Sequence, residues 1–82
     1  MHWARHLGVA LMASVTEAYE TADRCVRDIP IDGQFRQRIP TLLVRRFLQL
    51  QLQRELGYSH AAAWKLALDW WCSRRQASWG AP

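Results

Sequence analysis

The sequence predicts a small all-α domain of three to four helices, and three observations carry that expectation. Leu11, Val15, Ala18, Ala22, Cys25 and Ile29 recur at alternating spacings of four and three, the repeat of one helical face. The stretch from Leu48 to Trp71 reads as helix, tight turn, helix: strong helix formers end at Gly57, which is free to take positive φ, and Ser59 then offers a side-chain oxygen to the N–H groups of the next helix. Leu48 to Gln53 alternates apolar and polar as a strand would, but Val44 is the one β-branched residue between 42 and 56 and no partner strand is visible, so this segment too reads as helix.

Residues 1–29 form the first helix or two short ones. Ser14 followed by Glu17 fits a capping box, which would start a helix at Ser14 and leave His2 to Ala13 as a separate turn or short helix interrupted at Gly8. Met12, Tyr19 and Val26 widen the apolar face, while Thr16, Glu20, Asp23, Arg24 and Arg27 fall on the opposite side. Residues 30–39 read as a loop, because Pro30 pushes Ile29 out of helical geometry and Asp32-Gly33 is a turn signal. Residues 40–57 are the next helix, with Pro40 at the first helical position or Thr41 as its cap. In it Val44, Phe47, Leu48, Leu52 and Leu56 should point inward and Arg45, Arg46, Gln49 and Gln53 outward. The helix over 59–75 is apolar almost all round. Ala63, Leu66, Ala67 and Trp70 make one face, Ala61, Trp64, Leu68 and Trp71 a second beside it, and Lys65, Asp69 and Ser73 a narrow polar strip. Residues 76–82 read as a tail with Trp79 folding back.

Size and composition bound the function. Eighty-two residues make one domain with a shallow core that a second copy of the chain, as a homodimer, would complete. Half of the residues are apolar and five are Trp, too hydrophobic for disorder, yet the apolar run Leu7–Ala13 is too short to span a bilayer. His2, Arg5 and His6 before that run resemble the start of an export signal, but its continuation into a regular helical period favours a core helix. Cys25 and Cys72 form no C-x-x-C pair, which suits a reducing cytoplasm. The formal net charge is +4, and of eleven basic residues all but Lys65 are Arg, the side chain suited to bidentate contacts and to stacking on Trp.

Residues 49–68 resemble the helix-turn-helix family, most specifically in Leu56-Gly57-Tyr58-Ser59. The resemblance makes Leu52 and Leu56 inward residues of the first helix, Gly57 the turn glycine, Tyr58 the apolar turn residue, Ser59 the cap, and Ala63 and Leu66 inward residues of the second helix. The chain departs from the pattern at Gln53, where a small residue is usual, and at Ala63, where Val or Ile is usual. The residues that would face DNA bases, Ser59, His60, Ala61, Trp64 and Lys65, are a poor set for bidentate hydrogen bonds.

Two binding functions follow as expectations. The favoured one is a non-enzymatic regulatory protein that grips another protein through Trp64, Leu68, Trp71, Arg74 and Arg75, since Trp and Arg concentrate binding energy at protein interfaces, and that modulates a transcription regulator by analogy of fold. Trp70 should be core, whereas Trp64 and Trp71 lie about 100° or more from that face and at least one should reach a partner. The alternative is a DNA-binding regulator with Arg36, Arg38, Arg45 and Arg46 on phosphates and His60 and Lys65 nearest the bases, in a segment from 33 to 54 that holds no acid. No phosphate loop, nucleophile motif or isolated carboxylate pair points to catalysis, and His2 and His6, although spaced i, i+4, have no third metal ligand nearby, so no cofactor or metal is expected.

Overall fold

The computed structural model describes residues 14–79, and among these the chain is all-α with four helices and no strand. They are α1 (Ser14–Arg27), α2 (Gly33–Arg36), α3 (Thr41–Leu56) and α4 (His60–Ser78). The expectations for the turn at Gly8, the inward Leu11 and Met12, the His2/His6 pair and the last residues 80–82 lie outside the described residues.

The turn between α3 and α4 follows its sequence signals. Gly57 adopts φ 74° and its N–H donates to the Gln53 carbonyl at 3.1 Å, closing α3 in a left-handed cap. A Cβ at Gly57 would meet nothing within 4 Å, so glycine is required there by the backbone angle and not by crowding. Ser59 is extended, and its Oγ accepts the Ala62 N–H at 3.1 Å, which caps α4.

The core forms along α4, which packs against both α3 and α1. One cluster joins Ala22, Cys25 and Val26 of α1 to Val44 and Leu48 of α3 and to Ala67, Trp70 and Trp79; a second joins Ala18, Leu52, Tyr58 and Ala63 near the turn. Small residues on α1 and α4 allow the helices to approach, and the large Trp70 fills the space between them. Val44, Leu48 and Leu52 are buried and Phe47 and Leu56 half-buried, as their spacing predicts.

Several positions differ from expectation. The segment 30–39 contains the single-turn helix α2, because the Asp32 carboxylate accepts the Gln34 N–H at 3.2 Å and starts a turn that the Asp-Gly signal shares with a loop. Pro40 is the N-cap of α3 and makes no side-chain cap bond; Thr41 is the first helical residue. Helix α4 runs to Ser78, three residues beyond Arg75, and Trp79 closes it from a buried position. Val15 is 57% exposed although it falls on the periodic face. Gln49, expected outside, is wholly buried: its Nε2 donates to the His60 carbonyl at 2.9 Å and its Oε1 accepts from Arg46 at 2.9 Å, so both ends of the amide are satisfied across the α3–α4 corner.

The largest departure is Asp23. Expected on the solvent side of α1, it turns toward α4, where Oδ1 accepts the Trp70 indole N–H at 2.7 Å and the Ser78 hydroxyl at 2.9 Å, and Oδ2 pairs with Arg74 at 3.1 Å. A fully buried indole N–H must find an acceptor, and the carboxylate supplies a charged one. Asp23→Ala should destabilise the fold by about 2–3 kcal/mol by leaving that N–H unpaired. Asp23→Asn, which keeps an acceptor oxygen and loses the charge facing Arg74, should cost about half as much; urea denaturation followed by Trp fluorescence measures both.

Candidate functional site

The α4 residues expected to meet a partner lie on one stripe. Trp64, Leu68, Trp71 and Arg75 succeed one another at spacings of four, three and four, so a single side of the helix presents all of them. Leu68 is exposed at 37%, while Trp64 and Trp71 are half-buried and flank it. Trp71 leans on the core, with its ring centroid 6.3 Å from that of Trp70 and 5.9 Å from that of Trp79.

Arginines lie over both tryptophans of the stripe. The Arg45 guanidinium sits 3.8 Å from the Trp64 ring centroid while its Nε donates to the Trp64 carbonyl at 2.9 Å, and Arg75 lies 5.4 Å from the Trp71 ring. Cation–π attraction and the rigid guanidinium plane hold these side chains in place without a carboxylate. Arg74 is directed elsewhere: it pairs with Asp23 and lies 5.5 Å from the Tyr19 ring, so it belongs to the α1–α4 contact and not to the stripe.

The residues expected on DNA divide. Arg45 and Arg46 converge on Trp64, and His60 joins them through Arg46, whose Nη1 lies 3.5 Å from His60 Nε2 and whose guanidinium lies 5.6 Å from the Trp64 ring; Lys65 is exposed on the next position of α4. Arg36 does not join them. Its two terminal nitrogens donate to the carbonyls of Val26 at 2.8 Å and Ile29 at 3.0 Å, and its guanidinium lies 5.2 Å from Trp79. That side chain caps the C-terminal end of α1, where a cation also complements the helix dipole. Arg38 lies over the ring of Phe35, 5.5 Å from its centroid, and not over Trp64.

On α1, Arg24 is paired with Glu55 of α3, and Cys25 Sγ approaches the other oxygen of that carboxylate at 3.5 Å. The Arg24 guanidinium holds the Glu55 carboxyl below the usual carboxylate range, and burial together with the Glu55 charge pushes the Cys25 thiol up to about 11. This is the reverse of what a nucleophilic or metal-binding cysteine requires. Among the described residues, no group of three or more His, Cys, Asp and Glu side chains could hold a metal ion, and no helix is long and apolar enough to cross a membrane.

Gln49 was the side chain that sequence reasoning missed at this corner. It opens the alternating run Gln49, Gln51, Gln53 one turn after Arg46, which gives it the pattern of a solvent-facing residue, and only the closeness of the His60 carbonyl makes its burial favourable. No protein-family model, curated protein or solved structure matches the chain.

The two cysteines should differ sharply in reactivity. At pH 8 a thiol reagent should modify exposed Cys72 rapidly and buried, protonated Cys25 only at the rate at which the fold opens. Because the folded thiol titrates above its ordinary value of 9.0, the unfolded chain loses this proton first as the pH rises. The contribution of Cys25 to stability is therefore complete below about pH 9 and is lost as the pH climbs toward 11, and Cys25→Ala should flatten that loss in denaturation series.

Proposed function

We propose that the chain is a small non-enzymatic regulatory protein that binds another protein through the α4 stripe. The observation that supports this reading is the exposed Leu68 set between Trp64 and Trp71, each with an arginine over its ring. A large apolar residue rimmed by rigid aromatics and guanidinium groups has the composition of an interface centre, in which ordering costs little because the flanking side chains are already held. Arg45, Arg46, Lys65 and Arg75 around it favour an acidic amphipathic helix, with apolar residues to cover Leu68 and carboxylates to meet the cations. A transcription regulator is the partner class that the helix-turn-helix resemblance suggests, by analogy of fold alone.

The test uses Leu68 and not Trp71, because Trp71 packs on the core and its loss would disturb the fold as well as the surface. A photo-crosslinking residue at position 68, introduced in the native host, should yield one discrete protein adduct. Leu68→Asp should remove at least about 90% of capture at unchanged helicity. Absence of any adduct at 68, or capture unaffected by Leu68→Asp, would overturn this reading.

One observation favours direct DNA binding as the second reading: Arg45, Arg46 and His60 gather at the start of α4, with Lys65 one turn on. Under it, Arg45→Ala and Arg46→Ala should each weaken binding to mixed-sequence duplex about equally on every sequence and reduce the salt slope by about one. Anisotropy titrations at low and at physiological salt measure this.

A further inference from the structure

The outward side of α3 carries leucines that the packing of the described helices leaves exposed. At about 100° per residue, Val44, Leu48 and Leu52 face α1 and α4, and Leu50 then falls on the opposite side with Leu43 beside it. Leu43 is 61% and Leu50 53% exposed. Leu43, Phe47, Leu50 and Arg54 follow one another at spacings of four, three and four, the seam spacing of two helices packed lengthwise.

Beside this seam runs an open groove of about 530 Å³. Ile29, Ile39, Val44, Phe47 and Trp79 give it an apolar floor, and Leu43 stands at its edge. Arg24 and Arg54 contribute positive charge to its lining, and Asp28 and Glu55 negative charge.

Two features select what covers this surface. The seam belongs to a helix and fits the same seam on another helix. The charged lining is balanced: Arg24 and Glu55 are paired with each other, and Arg54 and Asp28 add one charge of each sign, so the surface does not repel its own copy although the chain carries a net charge of +4, whereas a strongly acidic or basic partner would meet like charge on it. We propose that the α3 seam and its groove are the contact surface for a second copy of this chain. The two α3 helices pack antiparallel about a two-fold axis, Phe47 of one protomer against Leu50 of its partner and Leu43 against the aliphatic stem of Arg54, each contact occurring twice. This face shares no side chain with the α4 stripe, so the inference stands apart from the proposed protein-binding function.

Sedimentation equilibrium of the full chain between about 1 and 200 µM tests it. The wild type should pass from the monomer mass of 9.6 kDa to twice that value within this range. Leu43→Gln with Leu50→Gln exchanges two exposed side chains for a residue of similar helix propensity, and should raise the dissociation constant at least about a hundredfold at unchanged far-UV helicity. Should the double variant lose helicity, Leu50→Gln alone is held to the same criterion with at least about a tenfold rise. Leu68→Asp, on the other face, should leave the dimer intact. A wild type that stays at 9.6 kDa at the highest concentration, a dimer indifferent to the α3 variants, or a dimer abolished by Leu68→Asp each overturns the proposal.

Discussion

The carboxylate of Asp23 is the polar contact that seats α4 on α1, and the rest of the packing is built around that pair. Among the described residues Trp70 is the largest side chain wholly removed from solvent, and its indole N–H cannot be buried without an acceptor. Asp23 supplies that acceptor from α1, and the same carboxylate accepts a hydrogen bond from the Ser78 hydroxyl two turns farther along α4 and pairs with Arg74. Contacts from this one carboxylate to positions 70, 74 and 78 fix the sliding position of α4 on α1, which apolar packing of Ala18, Ala22, Ala63 and Ala67 would leave poorly specified. With α4 so placed, Trp79 arrives over the end of α1 and beneath Arg36.

Arginine serves this fold as a structural residue before it serves any surface. Arg36 terminates α1 through two carbonyls, Arg46 meets the buried Gln49 amide, and Arg45 joins α3 to the first turns of α4 through both a carbonyl and a ring face. A lysine could not reproduce these contacts, because they use a flat, multiply donating group. The functional consequence is selective. A count of basic residues from 33 to 54 treats them as one patch, yet Arg36 spends its donors on the backbone while Arg45 and Arg46 gather around Trp64. The basic residues from 33 to 54 therefore do not form one surface.

Helix α3 shows why some of this was legible and some was not. The alternating Leu-Gln run from 48 to 53 is helical because its local residues favour a helix and Gly57 stops it as one, and both signals stand in the sequence. An alternating pattern on a 3.6-residue repeat cannot bury all three leucines. It sends Leu48 and Leu52 inward and leaves Leu50 outside, while the polar residue Gln49 is carried into the interior. The inward set Val44, Leu48 and Leu52 can be read from spacing, but the outward leucines cannot be read as a surface, since spacing shows where a side chain points and not how much of it neighbouring helices cover. The candidate partner stripe was legible as a set of residue types and positions. Its arginine covers were not, because Arg45 and Trp64 are far apart in the chain and meet only when α3 and α4 close on each other.

Local chemistry in the sequence alone determined the all-α class, the Gly57 stop, the Ser59 cap, the small-residue face of α1 and the burial of Trp70. Each of these depends on backbone preference or on a periodicity within one helix, which a short window of residues carries complete. Tertiary structure decided which polar side chains go inside. Asp23 and Gln49 occupy positions that polarity assigns to solvent, and they turn inward only because a Trp70 N–H in one case and a His60 carbonyl in the other lie within hydrogen-bond reach. A buried polar group is stabilised or penalised by the partner it finds, and that partner comes from another helix.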